Sequence, residues 1–133
     1  MQKITTFLMF DGRAEEALNF YITLFRGSEI IHITRYGPGE AGAEGSVMNA
    51  AFSLDGQELM CIDSSAKHEF TFTPAVSLYI NCETEAEIDG LFEALFHDGQ
   101  VLMPMDRYPF SDKFAWVSDK FGVSWQLNLG GVP

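Results

Sequence analysis

Apolar and polar positions along this chain follow two rhythms, and the rhythms occur in the same order twice. "FLMFDG", residues 7 to 12, is an apolar run closed by a turn signal. "RAEEALNFYITLF" follows, with Ala14, Ala17, Leu18, Tyr21, Leu24 and Phe25 at helical spacing and Gly27 as a stop. "VSLYINCETEAEIDGLFEALFHDG" repeats the sequence of events: a strand, a polar turn, then a helix with Ile88, Leu91, Phe92, Leu95 and Phe96 on its inward face and Gly99 as its stop. Leu8 corresponds to Leu78, and 78 − 8 gives a period of 70 residues.

Three strand-like runs come after each helix: "SEIIHITRYG", "SVMNAAFSL" and "QELMCID" in the first half, "QVLMPM", "FAWVSD" and "VSWQLNL" in the second, with "DKFG" as the last hairpin turn. The pattern predicts an α+β fold of two βαβββ modules, about 1–64 and about 74–130, within a single domain over 1–133. "SSAKHEFTFTP" links them, and "GPGEAGAEGS" reads as a mobile glycine-rich loop within the first. A helix covers one face of each sheet; the other face must meet the twin module or a second chain.

The final strand poses the functional question. Val123, Trp125, Leu127 and Leu129 alternate with Ser124, Gln126 and Asn128, so the two sets point opposite ways. The apolar set belongs under a helix; the polar set faces either water or a ligand.

Composition narrows the classes. A hydrophobic fraction of 47% with 12 Phe fits a packed globule. The net charge of −11 argues against nucleic acid, whose phosphates are bound by Lys and Arg. Cys61 and Cys82 form no CxxC pair, so neither a disulfide scaffold nor a zinc site is expected. "MQKITTFLMF" is too short an apolar run for a signal peptide, and no stretch reaches membrane-spanning length, which implies a cytoplasmic protein without a membrane partner.

The arrangement resembles the vicinal oxygen chelate superfamily, also called the glyoxalase/bleomycin-resistance/dioxygenase fold, and within it the PhnB-like (3-demethylubiquinone methyltransferase-like) branch. "FLMFDGRAEEALNFY" and "FAWVSDKFGVSWQLNL" carry the resemblance, which runs nearly end to end. It implies curled mixed sheets around a cavity with the helices outside, and a homodimer. The methyltransferase label has no support in the residues: no glycine-rich strand-to-helix turn of the sort that holds S-adenosylmethionine is present.

Metal-dependent members of that superfamily place one ligand on the first and last strand of each module. Those positions here are Thr5, Cys61, Ala75 and Gln126; shifting the first three by one residue offers Thr6, Met60, Ile62 or Val76. None is a customary hard-metal ligand, so no metal and no cofactor are expected. His32, His68 and His97 are too scattered to complete a site, and Cys61 reads as a buried, inert thiol.

Strand parity carried onto the resemblance gives a candidate ligand pocket of Thr5, Phe7, Met9, Cys61, Asp63, Ser77, Tyr79, Phe114, Trp116, Gln126 and Asn128. "MPMDRYPFSDK" supplies a candidate lid with Met103, Met105, Arg107, Tyr108 and Phe110. Aromatics with a few polar groups suit a small apolar or aromatic molecule. In the alternative reading the aromatics fill the core and Gln126 satisfies polar neighbours. The expected function is therefore small-molecule binding without a catalytic metal. The alternatives are a metal-dependent lyase, isomerase or dioxygenase of the same superfamily, or an antibiotic-sequestering protein aided by the negative charge.

Overall fold

Both rhythms become the elements they announce. The computed structural model describes residues 2–131. Its order is β1 (Thr6–Phe10), α1 (Ala14–Ile22), β2 (Glu29–Arg35), β3 (Val47–Leu54), β4 (Gln57–Asp63), β5 (Ser77–Cys82), α2 (Glu85–Phe96), β6 (Gln100–Tyr108), β7 (Ser111–Ser118) and β8 (Ser124–Gly131). The chain divides after Glu69 into two compact units, each βαβββ. The first holds a four-stranded sheet in the order β1-β4-β3-β2, the second one in the order β5-β8-β7-β6. In each, the first and last strands run parallel and the other neighbours antiparallel, so both sheets are mixed.

In the first unit Ala14, Ala17, Leu18 and Tyr21 form the buried stripe of α1. Tyr21 meets Phe52 of β3 at 6.4 Å between ring centroids, which marks the Phe52 side of the sheet as the covered one. Leu59 pairs with Phe52, and Cys61 with both Leu8 and Ala50, so these share that face. Leu24 and Phe25 lie beyond the helix, which ends at its C-cap Thr23.

α1 begins without local help: Arg13 at its N-cap makes no side-chain capping bond. The exposed N–H groups of a helix start need acceptors, and Asp63, the last residue of β4, supplies them. Its Oδ1 accepts from the Gly12 N–H (2.8 Å) and the Ala14 N–H (2.9 Å), while Oδ2 accepts from the Val47 N–H (2.9 Å).

The second unit caps its helix locally. Thr84 Oγ1 accepts from the Glu87 N–H (3.1 Å), and the Glu87 carboxylate accepts from the Glu83 N–H (2.7 Å). Ile88, Leu91 and Leu95 are buried, and Phe92 packs on Phe96 at 4.9 Å. Lys113 on β7 reaches Asp89 of α2 at 2.7 Å, which identifies the covered face. Leu129, Leu127 and Trp125 share it through their pairing with Lys113, Ala115 and Val117. Trp125 is fully buried, and its Nε1–H donates to Asp119 Oδ2 at 2.9 Å.

Two turns differ in detail from the expected stops. α2 ends at Phe96, and the left-handed residue after it is Asp98, at φ +59°. Gly99 is required for a different reason: a Cβ there would stand 2.1 Å from the Ser118 carbonyl oxygen. The segment expected as a capping loop is a hairpin. Met103, Met105, Arg107 and Tyr108 belong to β6, which contains Pro104 and runs past the expected strand "QVLMPM" to Tyr108, and Phe110 sits in the turn before β7. An edge strand tolerates that proline because one side of it donates to no neighbour.

Three stability outcomes follow from this packing. Trp125→Ala removes a buried indole and its hydrogen bond to Asp119, so urea unfolding should show a loss of about 3–5 kcal/mol, whereas Gln126→Leu, from the open face, should unfold within about 1.5 kcal/mol of the parent. The reverse result would mean the two faces of β8 are exchanged. Asp63→Ala leaves three backbone donors bare and should cost about 2–4 kcal/mol in the same measurement. A cost under about 0.5 kcal/mol, the usual range for a surface change, would show that water replaces the carboxylate.

Candidate functional site

Each sheet has one face turned away from its helix, and these open faces collect most of the candidate residues. In the second unit, pairing across all four strands builds three rows. Tyr79, Gln126, Trp116 and Met103 form the middle row. Ser77, Ser124, Ser118 and Gln100 lie on one side of it, and Asn81, Asn128, Phe114 and Asp106 on the other. Because β8 is central, its polar set lies between the side chains of β5 and β7.

That position explains the hydrogen bonding. Trp116 Nε1–H donates to Ser124 Oγ at 2.8 Å, the Ser124 and Ser77 hydroxyls share a bond of 2.6 Å, and Gln126 Nε2 donates to Ser77 Oγ at 3.3 Å. Asn128 Nδ2 donates to Asn81 Oδ1 at 3.1 Å, and its Oδ1 accepts from the Ser111 hydroxyl. Ser124 and Asn128 are buried and serve the sheet; Gln126 is half-buried, and its Oε1 has no partner among the described residues.

Aromatic rings gather at one end of this face. Phe114 is the hub, with Tyr79 at 6.4 Å, Tyr108 at 5.8 Å and Phe110 edge-on at 4.9 Å. Phe110 and Tyr108 stack on each other at 5.6 Å. Candidate pocket and candidate lid residues thus meet within one unit, though as a strand pair rather than a loop. Arg107, a candidate lid residue, lies 3.6 Å from Asp112 with both side chains exposed.

The first unit divides its candidates. Phe7 pairs with Met60, Met60 with Ala51, and Ala51 with His32, forming an open-face row; Met9 and Ile62 form another pair. Phe7 is 49% exposed and Met9 37%. Thr5 precedes β1, and its hydroxyl accepts from Gln2 Nε2 at 3.4 Å. Cys61 and Asp63 correct the expected assignment: they lie on the face under α1, opposite Phe7 and Met9. The parallel pairing sets Cys61 beside Leu8 and Asp63 beside Phe10, one residue out of phase with the register that put them in the pocket.

The ligand positions of metal-dependent superfamily members do not fit a hard divalent ion here. Burial, reinforced by the Asp63 charge, pushes the Cys61 thiol up to about 12, so it is a neutral thiol at ordinary pH. Burial likewise pushes Cys82 up to about 12, with Glu87 adding to the shift. Thr5 and Gln126 offer weak neutral donors and Ala75 offers none. Among the described residues, no group of three or more His, Cys, Asp or Glu stands close enough to hold a metal ion. His32 is exposed on the open face, His68 is 3.0 Å from the Ser64 hydroxyl, and His97 caps α2 beside Asp98.

One residue that the sequence reading passes over stands out. Asn49 pairs with Thr34 and shares the open face with Ala51. Its Oδ1 is buried with no hydrogen-bond partner, a condition that costs about 1–3 kcal/mol. The only sequence signal was a lone amide in the otherwise apolar run "VMNAAF".

Known proteins share this architecture over nearly the whole chain. Residues 2–128 match the family model described as 3-demethylubiquinone-9 3-methyltransferase. A PhnB protein structure from Bacillus cereus is 62% identical, covering 97% of this chain and 100% of that one, with a TM-score of 0.95. Protein PA1353 from Pseudomonas aeruginosa is 26% identical over 98% of each chain, with a TM-score of 0.85. A glyoxylase/bleomycin resistance protein/dioxygenase domain from Frankia shares the fold, at 14% identity over 98% of this chain and 93% of that one and a TM-score of 0.67. The chain belongs to the 3-demethylubiquinone-9 3-methyltransferase family, is PhnB-like by its identity to the Bacillus cereus protein, and has the fold of the glyoxylase/bleomycin resistance protein/dioxygenase domain.

Proposed function

We propose that this protein binds a small apolar or aromatic molecule on the open faces of its sheets and does so without a resident catalytic metal. The observation that carries the reading is the middle row of the second unit, Tyr79, Gln126, Trp116 and Met103, beside the Phe114 ring cluster. Large apolar surfaces supply affinity there, and one half-satisfied amide supplies direction, the usual division of labour in a small-molecule site. The methyl transfer in the family's name finds no support in these elements. Folds that hold nucleotide-like cofactors use parallel strands leading into helix N-termini through glycine-rich turns, and each sheet here has a single helix that starts on "DGR" or "CET".

The reading extends to the cell and the assembly. Two free, buried cysteines suit a reducing cytoplasm. β2 is an edge strand with Ile30 and Ile31 exposed, which favours its being covered in a homodimer.

Two measurements test these statements. Titration with α-methylstyrene, an aromatic hydrocarbon, should bind at about millimolar strength and shift the methyl signals of Met9, Met60 and Met103 and the indole N–H of Trp116. Absence of any shift would refute the binding proposal. Light scattering at micromolar concentration should give twice the 14.8 kDa chain mass; a clean monomer would refute the dimer.

A further inference from the structure

The first unit's open face carries donors that its own sheet leaves unused. Asn49 buries Oδ1 without a partner. Its Nδ2 is neither bonded nor among the buried unpaired atoms, so it keeps solvent access on a strand position of the open face. Thr34 stands beside Asn49 through the β2–β3 pairing, and His32 stands beside Ala51 in the adjoining row. Both are exposed, and neither side chain makes a hydrogen bond among the described residues. Around them the face is apolar, with Met60 and Phe7 continuing the His32 row across the sheet.

Resting on the binding reading above, we propose that Asn49 Nδ2, seconded by Thr34, donates to an acceptor oxygen on the ligand. The ligand is then an apolar or aromatic molecule that carries a carbonyl group. A neutral carbonyl is favoured over a carboxylate because the chain's net charge of −11 opposes the approach of anions. The unpaired Oδ1 supports the assignment. Neither edge of the amide is held by the sheet, so its retention in an apolar row has no structural return, and replacing such a group by a similar apolar one is nearly neutral or stabilising.

Acetophenone and α-methylstyrene have the same shape and differ in a carbonyl oxygen replaced by a methylene, so together they isolate the donor. Acetophenone should bind about tenfold more tightly and shift the Asn49 side-chain N–H₂ signals, which α-methylstyrene should leave in place. Asn49→Leu and Asn49→Asp, the second keeping the shape but removing both N–H donors, should abolish the preference and preserve α-methylstyrene binding. Asn49→Leu should also melt at or above the parent temperature. Equal binding of the two probes to the parent would overturn the donor assignment while leaving the binding reading intact. A preference that survives both substitutions, or a melting temperature lowered by Asn49→Leu, would likewise overturn it. If neither probe binds, the binding reading falls, and this proposal with it.

Discussion

A single buried carboxylate decides how the first unit is put together. Asp63 ends β4 and holds backbone donors from the start of α1 and from the start of β3. A helix with Arg13 at its N-cap has no acceptor of its own, so its first turn is anchored where Asp63 stands. The carboxylate must then lie on the helix side of the sheet. Side chains on a strand alternate, so Cys61 lies there too, while Met60 and Ile62 turn to the open face. One capping requirement thereby fixes the face of every residue on β4 and, through pairing, on β1 and β3.

The second unit reaches the same architecture with different contacts, and its open face differs as a result. Thr84 and Glu87 cap α2 from within the local chain, so β8 is free of that task. Its polar residues Ser124, Gln126 and Asn128 instead bridge neighbouring strands on the open side. The anchoring acid is Asp119, in the β7–β8 turn. It accepts from the Phe121 and Val123 N–H groups and from the Trp125 indole, fixing the largest buried side chain beneath α2.

This difference marks what the sequence could disclose. Period and order were legible because each depends on neighbours a few residues away: the helical stripe from Ala14 to Tyr21, the alternation of Trp125 with Gln126, and the repeat of Leu8 at Leu78. The side of the sheet taken by Cys61 and Asp63 was not, because it is set by a bond spanning 49 residues. The extension of β6 and β7 through the expected lid was hidden for another reason. The strand pattern "QVLMPM" stops at Met105, and "DRYPF" with Pro109 reads as a loop, yet β6 runs on to Tyr108 and the turn accommodates Pro109. Asn49 escaped notice because a lone amide in a strand has no pattern; its significance is a missing partner, which only coordinates reveal.

The two open faces therefore have different chemical character despite their common topology. The first is apolar, with Phe7, Met9, Met60 and Ile62 around one unheld amide. The second carries a ring cluster and a hydrogen-bonded track in which Gln126 retains an unpaired oxygen. Asn49 leaves both edges of its amide unbonded and Gln126 only its oxygen, each on a surface otherwise suited to apolar contact. Duplication of a βαβββ unit explains the shared frame, but it does not require unlike faces. Strand pairing does not impose this difference between the two amides, since neither sheet uses the free edge of its own amide.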